Sequence, residues 1–81
     1  MKSTEQIMKE GKLLLEYRKL MGMRQADVMK ILGGKQGNYS RMERGLLNSG
    51  DRLDKMHRIF KKWRDEEVLR LYEYIAYLNS L

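Results

Sequence analysis

Catalytic chemistry has little to work with in this sequence. The chain contains no Cys, so it offers no thiolate nucleophile, no thiolate zinc site and no disulfide framework. His57 is the only histidine; it falls among the apolar positions of a helical stretch and has no Cys partner. The stretch Gly33-Gly34-Lys35 is not a phosphate loop, because no glycine stands at the required earlier spacing and Gln36 replaces the metal-binding hydroxyl. Asp65-Glu66-Glu67 is more simply the acidic first turn of a helix than a metal site. We therefore expect no enzyme, no metal and no cofactor. What remains is cationic: 17 Lys and Arg against 11 Asp and Glu, a formal net charge of +6.

The distribution of that charge is more informative than its total. Residues 1–64 carry all but one of the Lys and Arg and sum to +9, whereas residues 65–81 set Arg70 against Asp65, Glu66, Glu67 and Glu73 and sum to −3. A basic body with an acidic appendage suits a domain that binds a polyanion through one part of the chain. Basic composition alone is weak support, since a solvated Lys/Arg face is common in helical proteins. Eighty-one residues suffice for one small domain. Met1 to Gly11 lack the apolar core of a signal peptide, and no apolar run reaches the roughly 18 residues a membrane span needs. The expectation from these features is a soluble, cytoplasmic protein.

The elements that must position the cations read as helices throughout. There is no Pro, and no segment alternates β-branched and polar residues as a half-buried strand would. Ser3 and Gln6 have the spacing of a capping box for a first helix, with Ile7, Leu14, Leu15 and Met21 on its inner face. Gly11 costs that helix about 1 kcal/mol relative to Ala, which predicts fraying of its first turns. Gly22 stands where a C-terminal cap belongs. A second helix is expected over residues 25–32, with Val28, Met29, Ile31 and Leu32 available for burial, and a third over about 36–44. Gly33 follows the last periodic residue of the second helix and supplies the left-handed backbone of the turn. Ser49 or Asp51 caps a fourth helix carrying Leu53, Met56, Ile59, Phe60 and Trp63 at helical spacing, and Asp65-Glu66-Glu67 start a fifth.

Taken without further context, residues 25–44 are a helical hairpin. Their register carries more. Gln25, Gly33, Ser40, Glu43 and Gly45, with Arg18 seven positions before Gln25, match the pattern of a helix-turn-helix, and the unit resembles the Cro/C1-type (XRE) family of phage and bacterial DNA-binding domains over about residues 14–61. The resemblance implies an all-α, lambda-repressor-like domain of about five helices, with residues 1–63 forming the helix-turn-helix domain. It implies an ion pair between Arg18 and Glu43 beneath the DNA-facing surface, where a bidentate guanidinium–carboxylate contact would fix the first helix against the third. Relatives usually have Ala where this chain has Met29 and a β-branched residue where it has Gly34.

The same resemblance implies that the third helix enters the major groove and exposes Lys35, Gln36, Asn38 and Arg41 to the bases. Gln36 can pair with adenine and Arg41 with guanine, each through two hydrogen bonds, while Lys35 can reach a guanine or a phosphate. Gly37 reads no base but permits close backbone approach. Arg24 and Gln25 at the start of the second helix, and Arg44, Asn48 and Arg52 after the third, fall at phosphate-contacting positions. Tyr39 matches an inward apolar position and is expected in the core with a partly exposed hydroxyl. By the family's habits the chain is a transcriptional regulator, a repressor from a phage or other mobile element. Its partners would be double-stranded DNA with two-fold half-sites and a second copy of itself. A protein antagonist is the expected means of control, with no small-molecule ligand and no membrane.

Two other readings stand beside this one. Gly34-Lys35-Gln36-Gly37 satisfies the GXXG loop by which KH domains clamp RNA, although a KH fold needs strands that the sequence does not offer. A protein-interaction module is better supported, because Val68, Leu71, Tyr72, Ile75 and Leu78 line one helical stripe, broadened by Leu69, Tyr74, Ala76 and Tyr77. Tyrosine is common at interfaces, its ring being apolar and its hydroxyl tolerant of water. Residues 64–81 are thus expected to be a dimerisation helix packed on the same domain, either presenting that stripe to a second copy or folding back over Phe60 and Trp63.

Overall fold

In the computed structural model, which describes residues 2–81, the chain folds into four helices: α1 (Thr4–Leu20), α2 (Gln25–Leu32), α3 (Gln36–Glu43) and α4 (Arg52–Asn79). The Ser3 hydroxyl accepts the Gln6 N–H at 3.1 Å and so satisfies one of the orphan donors at the start of α1. At its other end Gly22 takes φ +66°, which lets the Met23 N–H return to the Arg18 carbonyl at 3.0 Å. The connection between α2 and α3 uses two positive-φ glycines in succession, Gly33 at +78° and Gly34 at +102°, where the sequence pointed to one.

Leu14 of α1, Val28, Met29 and Leu32 of α2, Tyr39 and Met42 of α3 and Met56 of α4 form one buried cluster, flanked by Tyr17, Met21, Met23, Leu53 and Ile59. Ile31, available for burial by its periodicity, is instead exposed on the far side of α2. Met29 fills the space under the turn: a Cβ added at Gly34 would lie 3.3 Å from its Cε and 3.0 Å from the guanidinium of Arg52. The flexible thioether thus occupies volume that a side chain at position 34 would claim.

Gly11 does not fray α1. The helix is continuous through it, and Gly11 is buried against the C-terminal end of α3. A Cβ there would collide with the carbonyl oxygen of Met42 and come within 3.0 Å of that of Glu43 and 3.1 Å of the Gly45 nitrogen. Across the same contact Gly45, at φ +74°, faces Met8 so closely that its own Cβ would lie 2.9 Å from the Met8 Cγ. Two glycines therefore set how closely α1 approaches α3. The propensity cost of Gly11 is offset by a crossing no larger residue permits.

The expected fourth and fifth helices are one. α4 runs unbroken for 28 residues, because no Gly or Pro lies within it and the acidic run at 65–67 sits comfortably in a helix interior, with Glu67 held by Arg70 at 2.7 Å. An N-terminal preference for acids cannot end a helix that lacks a breaker. Neither proposed cap holds its start: Asp51 occupies the cap position without a side-chain hydrogen bond, and the Ser49 hydroxyl donates to Glu10 at 3.0 Å. The first half of α4 packs on α1 and α2, with Phe60 between Tyr17 and Trp63 at ring separations of 4.7 and 5.8 Å. Residues 64–81 do not fold back on the domain. They continue outward as an arm, giving the molecule its long dimension of 55 Å against 23 and 16 Å.

Candidate nucleic-acid interface

The α2–turn–α3 unit is tied down from below by one carboxylate. Glu43 is buried at the end of α3, where it accepts the Arg18 Nε at 2.6 Å, the Arg18 Nη2 at 3.1 Å and the Gln25 side-chain amide at 3.0 Å. Arg18 spends its remaining terminal nitrogen on the Met23 carbonyl at 3.1 Å. One guanidinium thereby links α1 to the α1–α2 turn and to α3, while Gln25 adds the start of α2. Burial alone would push the Glu43 carboxyl up, but its polar neighbours, the Arg18 guanidinium foremost, outweigh it and hold the group below the usual carboxylate range. The structure thus brings Arg18 and Glu43 together in bidentate contact. It also gives Gln25 a positioning task its register did not foretell.

Tyr39 lies beside this cluster, fully buried, and its hydroxyl has no hydrogen-bond partner among the described residues, so the expected partial exposure does not hold. Burial, followed by the neighbouring Glu43 carboxylate, pushes its phenol well above the ordinary value.

With Tyr39, Met42 and Glu43 turned inward, the outer face of α3 is left to Lys35 at its N-cap, Gln36, Gly37, Asn38 and Arg41, all exposed. A Cβ at Gly37 would meet only open space, so this stretch of backbone is freely approachable. Glu43 is the sole acid of α3, and it is directed away from this face. Among the described residues Lys35, Arg41 and Arg44 enter no ion pair. Three unpaired cations and two side-chain amides thus share a surface from which the carboxylates have been withdrawn.

The flanking residues are less uniform. Arg24 is exposed, and its guanidinium donates to both oxygens of Asp27 at 3.1 and 3.2 Å, while its backbone N–H reaches the same carboxylate at 3.0 Å. Asp27 thus supplies the cap that position 24 lacks and offsets the charge it offers. Arg44 is exposed, with its Nε 3.4 Å from the Ser40 carbonyl. Asn48 shapes its own loop, its Oδ1 accepting from the Gly50 N–H at 3.0 Å and from Lys2 at 3.3 Å. Arg52 is half-buried over Gly34, its Nε enclosed and without a partner among the described residues. These contacts leave Arg44 the freest cation on that side.

Sequence reasoning passed over the contacts that hold the site's surroundings. Lys2 and Ser49 both donate to Glu10, at 2.8 and 3.0 Å, closing the N-terminal segment onto the loop after α3; the Lys2 hydrogen bond leads in holding Glu10 below its ordinary value. No local pattern signals a bond across 39 positions. His57 is exposed rather than set in the core, with Nδ1 2.9 Å from the Tyr17 hydroxyl, and no metal-binding group of three acids or histidines occurs among the described residues. The KH reading fails on architecture, since the described residues contain no strand and Gly34–Gly37 is a turn running into the first turn of α3. Among the described residues no helix is long and apolar enough to cross a membrane. Searches of family models, curated proteins and solved structures find no match to this chain.

Proposed function

We propose that the protein is a sequence-specific, double-stranded DNA-binding regulator of lambda-repressor-like fold, acting as a repressor by occupying its site. One observation carries the reading: α3 presents Lys35, Gln36, Asn38 and Arg41 outward from a rigidly seated short helix whose only acid is buried beneath it. In the major groove Gln36 and Arg41 supply two-bond contacts to adenine and guanine, and Lys35 and Arg44 meet phosphates. Gln25 and Arg18 act as positioning residues through Glu43. Met29 and Gly34, the two departures from the family's pattern, compensate one another, because the larger residue at 29 takes the space vacated at 34.

Two copies bind together, reading two-fold related half-sites spaced by one helical turn of DNA or a multiple of it. The stripe Val68, Leu71, Tyr72, Ile75 and Leu78 makes the two-fold contact, and its exposure on the arm supports this role. Selection of bound sites from random duplex DNA tests the reading. Enrichment of a two-fold symmetric motif is expected; recovery of no motif overturns it. A second reading, a module that only binds other proteins, draws on the same arm and would be favoured by that negative result.

A further inference from the structure

From Arg64 to Asn79 every residue of α4 is exposed except the half-buried Glu67. Val68, Leu71, Tyr72, Ile75 and Leu78 stand between 43 and 68 % exposed, although most are large and apolar. Val68, Leu71, Ile75 and Leu78 are spaced three, four and three apart, the seam of a two-helix coiled coil, over about two heptads. An uncovered apolar stripe of this extent on one helix face marks a surface that a partner covers.

Charge selects the cover and its direction. Continued toward the body, the seam passes through Arg64 and Lys61, seven residues before Leu71 and Val68. In a parallel pair these cations would meet their own copies within the seam, Arg64 on Arg64 and Lys61 on Lys61. The two basic bodies would lie at the same end of the pair. In an antiparallel pair neither cation meets its own copy, and Arg64 falls just past the end of the other arm, beside the carbonyls of its last turn. The carbonyls there carry the negative end of the helix dipole, and α4 has no basic residue in its own last turn to answer it.

We propose that the arm pairs antiparallel with the arm of a second copy of this chain, Val68 lying opposite Leu78 of that copy and Leu71 opposite Ile75. The proposal deepens the dimeric reading above and rests on it. Its register centres on Glu73, so Tyr72 faces its own copy on one side of the two-fold axis and Tyr74 faces its own copy on the other. This accounts for the tyrosines clustering at the middle of the arm, where offset ring pairs add to simple burial. The two bodies are held at opposite ends of the paired arms, with their basic surfaces apart. A seam of about two heptads is short, so the dimer is expected to dissociate at micromolar rather than nanomolar concentration.

The absence of cysteine makes a disulfide test direct. Val68→Cys and Leu78→Cys are made in the full chain, checked for native helicity, and oxidised mildly, each alone and as an equimolar mixture. The antiparallel register predicts a mixed disulfide between the two variants and no self-disulfide of either. Like residues would lie about 15 Å apart along the axis in that register. Self-disulfides of Val68→Cys would show a parallel pair and overturn the proposal, as would a dimer in which neither variant cross-links. If the intact chain sediments as a monomer throughout, or until another protein is added, the second copy is the wrong occupant and the dimeric reading fails with it. A mixed disulfide from a chain that selects no DNA motif leaves the arm pairing standing and removes only the DNA reading.

Discussion

Glu43 decides what the outer surface of α3 can meet. Turned outward it would repel phosphate; turned inward it demands cationic and amide partners, which Arg18 and Gln25 provide. Because its pKa is lowered in the folded state, the pair contributes stability that is fully present above the unfolded carboxyl value of about 4.3 and lost as pH falls through the folded value. Glu43→Gln leaves Arg18 partly buried without its counter-charge and should cost about 3 kcal/mol, a fall in Tm of more than about 10 °C at neutral pH. The deficit should shrink below about pH 4. Thermal melts across pH measure both, and an unchanged Tm would show the pair to be energetically idle. On the opposite face, Arg41→Ala should leave the Tm in place and weaken specific DNA binding by about 1–3 kcal/mol, with relaxed preference at one base position on renewed selection. The two substitutions separate seating the helix from reading with it.

Helix contacts turn on glycines that a propensity scale would count as defects. Gly11→Ala raises the intrinsic propensity of α1 by about 1 kcal/mol, yet its new methyl would collide with the Met42 carbonyl. Backbone cannot step aside as the end of a flexible side chain can, so the net effect should be a loss of about 1–3 kcal/mol. A denaturant midpoint that rises instead would show that α1 and α3 can separate without cost. Of the candidate site, the surface pattern was legible: the polar run of α3 separated Gln36, Asn38 and Arg41 from Tyr39 and Met42 by helical spacing alone. The ties of Gln25 to Glu43 and of Glu10 to Ser49 were not legible, because each spans residues far apart in sequence. A propensity or register argument carries no information about which distant partner will be within reach.

At the scale of the whole molecule, the 55 Å length comes from a single helix that begins in the core and ends in solvent. That shape separates folding from assembly, since the buried cluster draws nothing from residues beyond Ile59. Ile75→Asp should therefore leave the helical signal and Tm nearly unchanged while abolishing dimerisation, and should lower affinity for a paired operator at least about tenfold without altering the weak binding to a single half-site. Sedimentation and DNA binding measured on the same preparation test this; a variant that remains dimeric would place the contact elsewhere.

Composition, the absence of Pro and Gly from long stretches, and apolar periodicity were enough to establish that the chain is helical, where α1, α2 and α3 lie, and which faces of them are apolar. Those properties are local, set by backbone preference and by the spacing of side chains along one helix. Tertiary structure alone decided that α4 is one helix rather than two, that its second half stands clear of the domain, that Gly11 is an approach point, and that the turn takes two glycines with Met29 beneath them. Each depends on the volume and polar partners brought by residues distant in the chain. Apolar periodicity can show that a face must be covered. Only the packed structure shows that α4's own domain does not cover it.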